Sequence, residues 1–308
     1  MKKTHTGHTL HQVVIGAFAL ILNICFPEFI ENIRFWILGF AILAIGMPHG
    51  ALDHIITYKS FPNKDKRQKR VWFYGYYTAL MVLYALLWIW FPLFSFLLFL
   101  AITLYHFGQA DAERFDLDQT AKTILQYARG LTIVGLIVYG SEPRYISDVI
   151  EVITGYSSYQ LVAGISNYGV VPIVLGSIYP IAYLFVISFL AKQKPNALFH
   201  LDALIVPALF IIADPIFAFA VYFGSWHSFN HAKTMIHYLN DREMDVSMKW
   251  FYKKTFLLSV MSYVGLALLY FITQAFGDED LLVALLFVLI SVLTLPHIFI
   301  VKMMYRKF

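Results

Sequence analysis

Roughly ten stretches of this chain are apolar over about 20 residues, the length a helix needs to cross a hydrocarbon core. They lie near 12–28, 33–57, 71–91, 93–112, 121–140, 168–190, 198–213, 214–238, 253–276 and 281–301. Inside lipid every backbone N–H and C=O must find its partner within the chain, and runs of this length satisfy that need as helices. The expected fold class is therefore all-α: a polytopic integral membrane helical bundle of about ten transmembrane helices, with residues 1–308 forming a single transmembrane domain. The count falls to nine if Ala213-Asp214-Pro215 breaks one long segment instead of turning the chain between two. The first stretch follows Lys2 and Lys3 as a signal peptide would. No small-residue cleavage pattern follows Cys25 and Phe26, so it reads as a retained helix.

The composition agrees: 59% of the 308 residues are hydrophobic and only 14% are charged, against roughly a quarter charged in a soluble domain. The net charge of +4 fits basic loops on one membrane face better than a nucleic-acid partner, because no basic residues interleave with aromatics along a groove. Cys25 stands alone, which excludes an intramolecular disulfide framework and any cysteine-rich metal site. A metal in this chain must be held by His, Asp or Glu.

Orientation follows from the loop Lys59 to Arg70, where Lys59, Lys64, Lys66, Arg67, Lys69 and Arg70 face only Asp65. A loop this basic belongs in the cytoplasm. Counting ten spans outward puts both termini, Lys192, Lys194, Lys302, Arg306 and Lys307 on that side. The opposite side receives Pro27 to Arg34, the segment 141–167 with Glu142, Asp148 and Glu151 against Arg144, and the turn Asp278-Glu279-Asp280. The loop with Glu113, Asp116 and Asp118 against Arg114 departs from the pattern, although acidic residues weigh little in it.

Histidines recur in four of these spans: Met47-Pro48-His49-Gly50-Ala51-Leu52-Asp53-His54, Tyr105-His106-Phe107-Gly108-Gln109-Ala110-Asp111, Trp226-His227-Ser228-Phe229-Asn230-His231 and Leu295-Pro296-His297. All four spans are even-numbered and enter from the outside, and each histidine lies past the midpoint toward the cytoplasmic end. With a rise of about 1.5 Å per residue, the histidines share one slab of the bilayer. Ionisable groups inside spans are costly and usually functional, and a shared depth on four helices suggests a ring of metal ligands. His227 and His231, like His49 and Asp53, are four apart and fall on one face of a helix. His54 points about 100° away from Asp53. The bland alternative, a hydrogen-bonded packing histidine, would have to hold in every one of the four spans.

All-imidazole ligation suits iron, zinc, copper or nickel, and the lack of thiolate argues against a soft Cu(I) site. Asp53 and Asp111 are the carboxylates near the motifs, placed to ligate or to accept the outer N–H of a ligating imidazole. Asp111 equally fits the end of its span at the interface. Pro48, Gly50, Gly108 and Pro296 would kink or thin the helices beside the histidines. The aromatics Tyr105, Phe107, Trp226 and Phe229 flank the same positions, as the lining of a pocket for a flat apolar molecule or as ordinary lipid-facing rings.

At these residues the sequence resembles the Brp/Blh family, the bacterial and archaeal membrane β-carotene 15,15'-dioxygenases. The matching blocks are Gly46 to Asp53, His106 to Asp111, His227-Ser228 with His231, and Pro296-His297, in the family's order. Segment 1–32 and the basic loop add nothing to the match. The resemblance implies an Fe(II) centre held by His49, His106, His227 and His231, with His297 as a further ligand or a neighbour. It also implies β-carotene and O2 as substrates, lateral entry of the carotenoid from the lipid bilayer, retinal as a product that a rhodopsin can take up, and a place in the bacterial inner membrane.

Two other classes compete. A divalent metal-ion transporter could use the same His/Asp pairs but should carry acidic residues along a path to both faces, whereas the polar groups here gather in one layer. A di-haem cytochrome needs histidine pairs at two depths. Metal analysis with an optical spectrum separates the three: iron without a Soret band for the oxygenase, zinc for the transporter, haem for the cytochrome.

Overall fold

The computed structural model describes residues 2–60, 65–113, 115, 117–139, 143–157, 170–191, 195–242, 244–276 and 279–305. Of the residues used to orient the spans, Lys64, Arg114, Asp116, Glu142, Lys192, Lys194, Asp278, Arg306 and Lys307 lie outside the described residues. The helices are α1 (Lys2–Cys25), α2 (Pro27–Ala41), α3 (Met47–Gly50), α4 (Asp53–Ser60), α5 (Lys66–Trp90), α6 (Pro92–Ala112), α7 (Gln119–Tyr139), α8 (Pro143–Thr154), α9 (Val170–Phe185), α10 (Ala197–Ile212), α11 (Pro215–Tyr222), α12 (Phe229–Asn240), α13 (Met248–Phe276) and α14 (Glu279–Tyr305). Wider π-helical turns occupy Ile42–Gly46, Val186–Leu190 and Phe223–Ser228. Among the described residues there is no strand.

Six helical stretches are long and apolar enough to cross a membrane: Pro27–Ser60, Lys66–Trp90, Pro92–Ala112, Val170–Leu190, Met248–Ala275 and Leu285–Tyr305. Thr9–Cys25 and Ala197–Ile212 are apolar but shorter. Each coincides with an expected span. Large apolar side chains stand outward along them, with Trp36 80%, Phe189 76% and Ile89 71% exposed, an arrangement that hydrocarbon accommodates and water does not.

Local chemistry sets the breaks. Pro27 and Pro92 open α2 and α6, and the residues before them, Phe26 and Phe91, leave the helical region. At Ala213-Asp214 the chain turns: Ala213 is extended, and the Asp214 carboxylate accepts from the N–H groups of Ile216 and Phe217, capping α11. Asp65 and Gln68 form a reciprocal capping box at the start of α5.

The chain divides into two compact units, each assembled from three separate stretches. The first comprises residues 1–42, 103–147 and 159–230; the second comprises 43–102, 148–158 and 231–308. In the first unit α1, α7, α9, α10 and α11 surround an apolar core that includes Ile133, Leu136, Val206, Phe210, Phe217 and Trp226. Thr132 ties α7 to α9, donating to the Leu175 carbonyl and accepting from the Tyr179 N–H. In the second unit Leu52, Ile56, Met235, Phe251 and Ile300 form one core, and Tyr84, Trp88, Phe99 and Val292 another. Trp88 closes the latter with a hydrogen bond to Ser291 at 2.7 Å.

Candidate metal centre

Proline shapes the approach to His49. Pro48 has no N–H to offer the carbonyl of Ala44, and the chain widens into the π turn Ile42–Gly46 just before it. Pro296 leaves the Val292 carbonyl without its usual helical donor in the same way, one residue before His297. His227 itself sits inside the π turn Phe223–Ser228. Such turns recur at functional sites because they shift the phase of the side chains that follow.

In the second unit His49, His231 and His297 come together. Their ring centres are 5.1 Å (His49–His297), 5.5 Å (His49–His231) and 5.5 Å (His231–His297) apart, with planes 70–90° from one another. All three are buried. Imidazoles bound to one ion at about 2.0–2.1 Å place their ring centres about 5 Å apart at tetrahedral angles, so the trio has close to the spacing of a ligand set.

The ring nitrogens are oriented by acceptors that cannot donate. His297 Nδ1 lies 2.8 and 3.0 Å from the two oxygens of Asp53, and His49 Nδ1 lies 3.4 Å from the Ile45 carbonyl. Both contacts call for a proton on Nδ1, which makes Nε2 the nitrogen that would face a metal. Asp53 is itself buried and accepts a third hydrogen bond from Tyr77 Oη at 3.2 Å. Among the described residues no group of three or more His, Cys, Asp or Glu already has its donor atoms set to hold an ion. The spacing of the three rings, with acceptors behind two of them, is what would suit a metal here.

In the first unit His106 and His227 form a pair, ring centres 4.8 Å apart and edge to face, both buried. Phe107 packs 4.5 Å from the His227 ring and Phe223 stacks on it at 5.6 Å. Within the first unit, then, His106 and His227 meet, and within the second His49, His231 and His297 meet.

The remaining expected residues take varied places. Asp111 is buried in an ion pair with Arg129 at 2.6 Å and accepts from Tyr222 Oη at 3.4 Å, so it does not simply end its span at the interface. His54 lies 3.0 Å from the Ala51 carbonyl and packs against Tyr58 and Phe73. Trp226 is fully buried with its indole N–H donating to Asp202, which makes its ring part of the core. Tyr105 and Phe229 are half-buried. Sequence reading missed Tyr77, Arg129 and Asp202; the last two were visible as charges inside apolar stretches, a pattern that usually marks function.

A family model described as beta-carotene 15,15'-dioxygenase matches residues 40–305. A curated protein named beta-carotene 15,15'-dioxygenase, from the uncultured marine bacterium 66A03, is 23% identical over 277 residues, 86% of this chain and 92% of that protein. No solved structure is significantly similar. The matched stretch contains His49, His106, His227, His231 and His297 together with Asp53 and Asp111, and the chain belongs to the β-carotene 15,15'-dioxygenase family of enzymes.

Proposed function

We propose that this enzyme cleaves β-carotene at its central 15,15' double bond with O2 to give two molecules of retinal, using non-haem Fe(II) held by histidines. The observation that carries the reading is the His49, His231 and His297 trio, with Asp53 fixing the proton of one member. The resemblance also names His106 and His227 as ligands, and within the first unit these two form a buried edge-to-face pair. Fe(II) supplies the redox chemistry that lets ground-state O2 react with a closed-shell alkene. The balance is simple: the C15=C15' bond breaks and each half takes one oxygen atom as an aldehyde.

The protein's part is orientation. Asp53 holds the His297 ring and its tautomer, and Tyr77 donates to Asp53 so that the carboxylate keeps its aim. No acid–base pair is required, because no proton is transferred in the net reaction. The buried histidines stand in apolar surroundings suited to a hydrocarbon substrate that enters sideways from lipid. The reading includes a bacterial inner-membrane location with both termini in the cytoplasm, and retinal release to a rhodopsin.

Expression in cells that accumulate β-carotene is expected to bleach their colour and produce retinal, read by chromatography of the pigment extract. Unchanged pigment alongside folded, iron-loaded protein would remove β-carotene as the substrate. Asp53→Asn is expected to leave a slower enzyme with metal affinity down by about 10- to 100-fold. Iron content and turnover of the purified variant check this, and wild-type values in both would detach Asp53 from the site.

A further inference from the structure

Arg129 lies in the interior of α7 with none of its side chain exposed. A guanidinium in such surroundings is costly unless it is paired, and for stability alone an apolar side chain serves as well or better. Its partners come from two other helices. Nε meets Asp111 of α6 at 2.6 Å, and an Nη meets Asp202 of α10 at 3.6 Å. The guanidinium also lies over the Tyr179 ring at 4.5 Å and near that of Tyr222 at 5.9 Å.

These partners lead to the histidines of the same unit. Asp111 follows His106 by five residues on α6. Asp202 accepts the indole N–H of Trp226 at 2.6 Å, and Trp226 immediately precedes His227 in the π turn. Tyr222, which donates to Asp111, lies five residues before His227. One guanidinium thus links the helix that carries His106 to the turn that carries His227, and those two rings stand 4.8 Å apart.

We propose that Arg129, with Asp111 and Asp202, is a positioning cluster that sets the spacing of His106 and His227 for a metal ion. The inference rests on the metal-binding reading above. A rigid frame of this kind is what an imidazole pair needs, since ligand orientation is fixed by the groups behind the ligands.

The test uses the full chain in detergent micelles, stripped of metal and titrated with Co(II) alone, whose ligand-field bands report the donor set. The bands to follow are those lost in His227→Ala. Asp202→Asn is expected to shift these bands and lower Co(II) affinity by about 10- to 100-fold. Trp226→Phe, which keeps a ring in the core and removes only the N–H, should do the same more weakly, by about tenfold. Arg129→Lys keeps the charge but loses the fork that reaches both carboxylates, so its affinity should fall between wild type and Asp202→Asn.

Wild-type bands and affinity in the folded variants, even with lowered melting temperatures, would make the cluster purely structural and overturn the proposal. If Asp202→Asn fails to fold, Trp226→Phe decides by the same criterion. If wild type takes up no Co(II), the metal-binding reading fails and carries this one with it. Bands unchanged in the variants but present in wild type overturn this one alone.

Discussion

Gly108→Ala is expected to destabilise the protein by about 3 kcal/mol or more, because the added methyl has nowhere to go. A Cβ built on Gly108 would lie 1.8 Å from the carbonyl oxygen of Gln126, and one on Gly130 would lie 2.0 Å from that of Leu104. Both obstacles are backbone atoms, so no rotamer change relieves them. α6 and α7 approach through these two glycines as small-residue interfaces in membranes do, and the close approach admits Cα–H···O contacts between the backbones. Relief requires the helices to separate, and with them Asp111 from Arg129.

Gly130→Ala should cost a similar amount, and the double variant less than the sum, since the first substitution already parts the helices. Gly75→Ala is the control: nothing lies within 4 Å of its added Cβ, and in a helix interior alanine should gain up to about 1 kcal/mol. Denaturant or thermal unfolding in micelles measures all four. A Gly108→Ala protein that melts with wild type would disprove the close approach.

His231→Ala is expected to abolish retinal formation and most iron retention, and His297→Ala is expected to match it in both respects. The two rings belong to one trio with His49, and the Asp53 carboxylate on Nδ1 gives His297 the outer-shell partner typical of a metal ligand. The resemblance alone left His297 as a ligand or a neighbour. Iron content is the deciding measurement, since a disturbed pocket would also lower turnover. If His297→Ala kept its iron while losing activity, His297 would be part of the pocket wall. If His231→Ala kept both, the trio would have no part in binding metal.

What the sequence determined was local. Helix limits follow largely from apolar runs: 71–91 and 93–112 were expected where Lys66–Trp90 and Pro92–Ala112 stand, and Pro92 takes the first helical position, where its missing N–H costs no bond. Likewise, five buried histidines could be picked out because a titratable group in a long apolar run is conspicuous whatever surrounds it.

Partnership was decided by the tertiary structure. The spacing of His227 and His231 says nothing of which rings each meets: within its own unit His227 meets His106, and His231 meets His49 and His297, with the end of a π turn at Ser228 before the second of them. Asp53, four residues from His49, turns to His297, which is 244 residues away in sequence. Asp111 pairs with Arg129 of the next helix, and Trp226 turns its N–H to Asp202. A buried charge or N–H must find a complement somewhere, but which one depends on helix packing and on the phase shifts that π turns and prolines introduce, and neither is written in spacing along the chain.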